Sequence, residues 1–182
     1  MSMRYCLILA MAILALSCGK KMTEQESISQ IEQMEKDLFS KMEVPNDSLA
    51  DVLITAYETF NMDYKDHELA PEFLFRAANL ARSFNEFDRA MGHYQTILNQ
   101  HTDYQNIIET KFMIAFMYDN DLKDKKKAEE VYKSIAAEYP EHIFGREASK
   151  RLETLHMTDQ EMLDYFKRKN GLLPDSTEQV AQ

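Results

Sequence analysis

Three stretches decide the fold: YETFNMDYKDHELAPEFLFRAANLA (residues 57–81), YQTILNQHTDYQNIIETKFMIAFMY (residues 94–118) and YKSIAAEYPEHIFGREASKRLETL (residues 132–155). Each opens on a tyrosine, and the spacings Tyr57 to Tyr94 and Tyr94 to Tyr132 are 37 and 38 residues. A period of that length marks an array of helical hairpins, in which each unit buries its apolar face only against its neighbours. Within the copies, Phe75 and Ala78 match Phe112 and Ala115, while Ala77 and Leu80 match Ile114, Met117 and, shifted by one, Leu152 and Leu155. The third copy carries Glu153 where a small residue belongs, and it reads as a half-repeat that caps the array.

Outward from these copies the apolar spacing stays helical. Ile28, Ile31, Met34, Leu38 and Met42 fall at three- and four-residue steps, one face of a helix, and Leu49, Val52, Leu53, Ala56, Tyr57 and Phe60 form a second stripe. Val44-Pro45-Asn46-Asp47 reads as the turn between them. Pro71 suits the first turn of a helix, where its missing N–H costs nothing, and Pro140 closes another. Thr158 and Glu161 are spaced as a capping box ahead of Met162, Leu163 and Phe166, and Asn170-Gly171 is a stop. Four glycines and four prolines in 182 residues leave little room for the tight turns of a β-sandwich. The expectation is an all-α chain of about eight helices.

The helical copies resemble the tetratricopeptide repeat. Its small residue late in helix A matches Ala78 and Ala115, and its aromatic near the end of helix A matches Tyr118. Its small residue early in helix B matches Ala90 and Ala128, its bulky residue four positions on matches Tyr94 and Tyr132, and its closing proline matches Pro140. The resemblance covers roughly Leu49 to Leu155 and implies a right-handed helical-hairpin solenoid that binds protein partners on its inner, helix A face. Carried over, that face is Glu72, Phe75, Asn79 and Arg82 from one copy beside Glu109, Phe112, Phe116 and Asp119 from the next. Either these aromatics line an open groove, or Phe75 and Phe112 pack against the first two helices.

The N-terminus has its own signature. Arg4 precedes an unbroken apolar run, Leu7 to Leu16, too short to span a bilayer and suited to a signal peptide. The sequence Ala15-Leu16-Ser17-Cys18-Gly19 resembles a bacterial lipobox. The resemblance implies cleavage before Cys18 and a diacylglyceryl thioether on its sulfur; the alternative is an ordinary secretory peptide with an incidental cysteine. Cys6 would leave with the signal peptide, so Cys18 would be the sole remaining thiol and no intramolecular disulfide could form. The expected organisation is a signal peptide over 1–17, a lipidated tether over 18–26, the repeat domain over 27–170 and a disordered tail over 171–182. Lipobox and long-period repeats together resemble the BamD-like lipoproteins of outer-membrane assembly and the YbgF-like periplasmic repeat proteins, most strongly over residues 128–152.

Charge and motifs narrow the function classes. A formal net charge of −10 argues against a nucleic-acid binder, which needs a basic face for phosphates. His67, His93, His101, His142 and His156 fall in no metal-ligand spacing, no G-x-S-x-G occurs, and the glycines stand too far apart for a phosphate loop. No cofactor, metal or catalytic residue is expected. Lys123, Lys125, Lys126 and Lys127 read as a solvated turn between helices. The sequence therefore points to a non-catalytic protein-interaction module anchored by lipid in the bacterial envelope, on an outer membrane facing the periplasm. The alternatives are a subunit of outer-membrane protein assembly and a lipoprotein that captures a small ligand.

Overall fold

The computed structural model describes residues 21–40 and 47–172. The predicted signal peptide, Cys18, the predicted turn at 44–46 and the predicted tail beyond Leu172 lie outside the described residues. Among the described residues every regular element is a helix: α1 (Glu24–Ser40), α2 (Asp47–Asp63), α3 (Ala70–Ser83), α4 (Phe87–Gln100), α5 (Ile107–Asn120), α6 (Lys125–Glu138), α7 (Ile143–Thr154) and α8 (Asp159–Lys169). The chain divides into two compact units, Met1–Ala70 and Pro71–Gln182.

In the first unit α1 packs on α2. Helix α1 begins three residues earlier than the predicted tether allows, because Thr23 and Glu26 form a capping box: Glu26 Oε2 accepts from the Thr23 N–H at 2.7 Å and Thr23 Oγ1 accepts from the Glu26 N–H at 3.3 Å. That pairing satisfies backbone donors which an uncapped helix end leaves open. Helix α2 buries Ala50, Leu53, Ile54, Tyr57 and Phe60, whereas the α1 stripe buries only Ile31 fully. The Tyr57 hydroxyl crosses the hairpin and donates to Glu35 Oε1 at 2.6 Å. Lys21 pairs with Asp63 at 2.8 Å, and the Tyr64 hydroxyl donates to the Met22 carbonyl, tying the start of the hairpin to its end.

The second unit is the repeat array. Helices α4, α5, α6 and α7 pack in chain order, and α5 also meets α7 across the inner layer. Tyr94 on α4 and Tyr132 on α6 are fully buried, as Tyr57 is on α2. The small residues stand where helices approach: Ala78, Ala90, Ala115, Ala128 and Ala148 are all 0 % exposed. Ala148, not Glu153, is thus the small residue of the third copy. It lies 33 residues after Ala115, so the copies do not keep one period, and Glu153 points to solvent. The core around α5–α7 joins Phe112, Ala115, Ala128, Tyr132, Ile135, Ala148 and Leu155. Each large apolar member contributes about 1.5–3 kcal/mol by leaving water.

Local chemistry sets the turns. Asp124 caps α6 by accepting from the Lys127 N–H at 3.1 Å, and the preceding Lys123 sits at φ 57°, turning the chain sharply. Between α6 and α7 the turn is tight. Gly145 is buried at the entry to α7, and a Cβ there would lie 1.8 Å from the Tyr139 carbonyl oxygen. The predicted Thr158/Glu161 capping box opens α8, and Gly171, at φ 69°, ends it with its N–H bonded to the Arg168 carbonyl at 2.9 Å. Helix α8 thus follows the third copy as a separately capped helix with no buried residue.

Candidate functional site

Helices α3, α5 and α7 occupy the helix A positions, and they carry all the residues predicted to meet a partner together with one that sequence reasoning passed over. At one end, Glu72 Oε2 accepts from the Tyr104 hydroxyl at 2.7 Å and Glu72 Oε1 accepts from Arg76 Nε at 2.9 Å. Partial burial pushes the Glu72 carboxyl upward, but the Tyr104 hydroxyl and the Arg76 guanidinium together hold it below the usual carboxylate range. Glu109 on α5 faces the opposite balance. Its partial burial and the charge of Glu72 both raise its carboxyl above the ordinary value.

Next along the face, Phe75 is half-buried, its ring 5.8 Å from that of Tyr94 and 6.3 Å from that of Tyr104. Asn79 is spoken for: its Oδ1 accepts from the buried Tyr94 hydroxyl at 2.7 Å. Phe112 is not on a groove wall. It is 6 % exposed, with its ring 5.5 Å from Tyr132 and 5.2 Å from Phe144, so it is core between α5, α6 and α7. The sequence places Phe112 on the partner face because helix A spacing alone does not say how deep α7 reaches; Phe144, brought in by the tight turn at Gly145, covers it.

Phe116 is the centre of what remains. It is half-buried at the margin of the core. The Arg82 guanidinium of α3 lies 4.7 Å from its ring centre and the Arg151 guanidinium of α7 lies 5.2 Å away. Two cations from the two neighbouring A helices thus hold one aromatic ring, each contact contributing about 0.5–1 kcal/mol at an exposed site and more where water is excluded. Arg82 is in turn fixed by both carboxylate oxygens of Asp121, at 2.5 and 3.3 Å. Asp119, also half-buried, lies near enough to the Tyr132 hydroxyl to reinforce the upward push that burial gives it.

Phe116 also explains an orphan. It stands where the previous copy has Asn79, the acceptor for Tyr94. Tyr132 repeats Tyr94, yet its hydroxyl is buried and meets no hydrogen-bond partner. The structure thus joins Arg82 and Phe116 of the predicted set into one cluster, separates Glu72 and Glu109 into another, and withdraws Phe112. Arg151, Asp121, Tyr104 and Tyr132 complete the clusters. Sequence spacing does not point to Arg151, because it sets the third copy on Leu152 and Leu155 rather than on Ala148. Among the described residues no three His, Cys, Asp or Glu side chains gather as metal ligands, and no helix is long and apolar enough to cross a membrane.

Comparison with known families finds a tetratricopeptide repeat over residues 109–142, which takes in nearly all of α5, the whole of α6 and the turn that leads to α7. Tetratricopeptide repeats are units of protein–protein interaction. No curated protein and no solved structure matches the chain.

Proposed function

We propose that this chain is a lipid-anchored, non-catalytic interaction module of the bacterial envelope that holds a protein partner against the inner face of α3, α5 and α7. The observation that carries the binding half of this reading is Phe116, an aromatic left half-exposed between Arg82 and Arg151 on a face flanked by charge. Large aromatics and arginines at the centre of a face are the residues that dominate interface energies. The repeat matched over residues 109–142 is consistent with that use. The anchoring half rests on the Ala15-Leu16-Ser17-Cys18 sequence behind a ten-residue apolar run. Acyl chains on Cys18, followed by a short polar stretch to α1, would keep the repeat unit at a membrane surface.

Two measurements test the halves separately. Cys18→Ser should leave the membrane pellet in a high-salt wash, with its melting temperature unchanged, since residue 18 precedes every described helix. A mutant that stays in the pellet after a high-salt wash shows that Cys18 is not the anchor. Affinity purification from detergent-solubilised membranes identifies the partner, and Phe116→Ala should weaken its capture by about 2 kcal/mol or more. Undiminished capture by Phe116→Ala would remove this face from the interaction. A BamD-like role in outer-membrane assembly is the narrower reading, drawn from residues 128–152, and it predicts that assembly components appear in the same purification.

A further inference from the structure

The last helix of the second unit is unlike the others. None of the residues of α8 is buried, although its sequence is amphipathic. Leu163 and Phe166 are 48 % and 47 % exposed, and Leu172, just past the Gly171 stop, is 73 % exposed. At 100° per residue, Leu163 and Phe166 share one side of the helix, Lys167 flanks it on one edge and Lys169 on the other. The last turn is wholly basic, Lys167, Arg168 and Lys169, in a chain of net charge −10. Two acids of α8, Asp159 and Glu161, stand in its first turn, and Asp164, at mid-helix, accepts from Gln160 Nε2 at 3.0 Å. The acid brought to the basic end by α7 is Glu153, 3.7 Å from Lys169 Nζ and bonded to the Tyr165 hydroxyl. A solenoid ordinarily closes on a polar cap. The last described helix here instead presents an apolar strip edged by lysines.

We propose that the C-terminal half of α8, with Leu172, is a docking surface for an anionic phospholipid bilayer. The combination is what an interfacial helix needs: leucine and phenylalanine to enter the headgroup boundary, and cations beside them to meet phosphate. The charge sign selects the occupant. Lys169 already meets Glu153 and the Tyr165 hydroxyl, but a neutral apolar partner would leave the charges of Lys167 and Arg168 beside the strip unmatched, and an anionic lipid surface engages both features at once. Because α8 has no buried residue, it engages a surface without opening the core beneath it. This contact is independent of Cys18, so it would lay an already tethered chain against the membrane rather than tether it.

The test uses residues 19–182, which keep every described helix and carry no lipid, sedimented with vesicles of phosphatidylglycerol and phosphatidylethanolamine or of phosphatidylcholine alone. The expected result is binding to the anionic vesicles at low salt, at least tenfold weaker binding to phosphatidylcholine, and release as salt screens the charges. Leu163→Ser with Phe166→Ser should reduce anionic-vesicle binding at least tenfold, and so should Lys167→Gln with Arg168→Gln and Lys169→Gln, with unchanged melting temperatures in both. Leu122→Ser with Lys125→Gln and Lys126→Gln, on the other basic turn, should leave it unchanged. Absence of binding to anionic vesicles, equal binding by the α8 variants, or loss only in the Leu122 variant overturns the proposal. So does light scattering that shows a dimer broken by Leu163→Ser with Phe166→Ser, since the strip then belongs to a second copy. None of these outcomes depends on whether Cys18 carries lipid.

Discussion

Deleting one oxygen atom at two equivalent positions should have opposite consequences. Tyr94 and Tyr132 occupy the same place on α4 and α6, and both are 0 % exposed. The Tyr94 hydroxyl donates to Asn79 Oδ1 at 2.7 Å, whereas the Tyr132 hydroxyl has no partner because Phe116 fills the place of Asn79. In Tyr94→Phe a neutral hydrogen bond is lost, at a cost of about 1 kcal/mol, and Asn79, half-buried, recovers part of it from water. In Tyr132→Phe a desolvated donor disappears and nothing is broken. Leaving such a group unpaired costs about 1–3 kcal/mol, so its removal should be neutral or should stabilise by about 1 kcal/mol. The two variants should therefore differ by about 1–2 kcal/mol, roughly 2–8 °C in melting temperature for a chain of this size. Urea and thermal unfolding followed by the helical circular dichroism signal measure it directly. Phe116→Asn supplies an internal check: with an acceptor restored beside Tyr132, Tyr132→Phe in that background should cost about 1 kcal/mol, a coupling read from the double-mutant cycle. Equal losses in Tyr94→Phe and Tyr132→Phe would refute the reasoning, because the Tyr132 hydroxyl would then be as well satisfied as its counterpart.

Gly145→Ala should destabilise by about 2–3 kcal/mol although alanine is the better helix former by about 1 kcal/mol, since its Cβ meets the Tyr139 backbone; Gly92→Ala on α4, with nothing within 4 Å, should stabilise by a fraction of that, and chemical denaturation compares the two. Ala128→Leu should overpack the α5–α7 core at a cost of about 1–3 kcal/mol, while Ala137→Leu on the exposed side of the same helix should change little; equal thermal shifts would place the α6 face wrongly. Glu109→Gln should raise stability at neutral pH, because the folded state holds that carboxyl above its ordinary pKa and pays for its ionisation as pH rises through the raised value. In acid, below the ordinary carboxylate range, the gain should vanish. Glu72→Gln should do the reverse, losing stability at neutral pH and converging with wild type as the acid protonates, so paired stability–pH curves distinguish them.

The helical class, the positions of most helices and the recurring tyrosines were legible in the chain because they depend on local spacing. Apolar residues at three- and four-residue steps make a helix only one way, a T-x-x-E pair caps wherever it falls, and a small residue four before a tyrosine marks a close crossing. The same rule offered Thr23-x-x-Glu26, which extends α1 into the predicted tether and was there to be read. The lipobox-like Ala15-Leu16-Ser17-Cys18 is also a pattern of adjacent residues, and it stands as a reading of sequence. What only the tertiary structure decided concerns depth and register between distant segments. Phe112 and Phe116 have the same spacing on the same helix, yet Phe144 covers one and Arg82 and Arg151 hold the other half in water. That outcome turns on where α7 lands, and α7 lands there because Gly145 lets its backbone approach the Tyr139 carbonyl closely. The register of the third copy falls on Ala148 rather than Glu153 partly because the turn between α6 and α7 is two residues shorter than that between α4 and α5, and partly because the buried alanine lies earlier along α7 than Ala115 does along α5. Side-chain periodicity fixes which face of a helix is apolar. How far a neighbour slides along that face is set by contacts made across dozens of residues, and no local pattern encodes them.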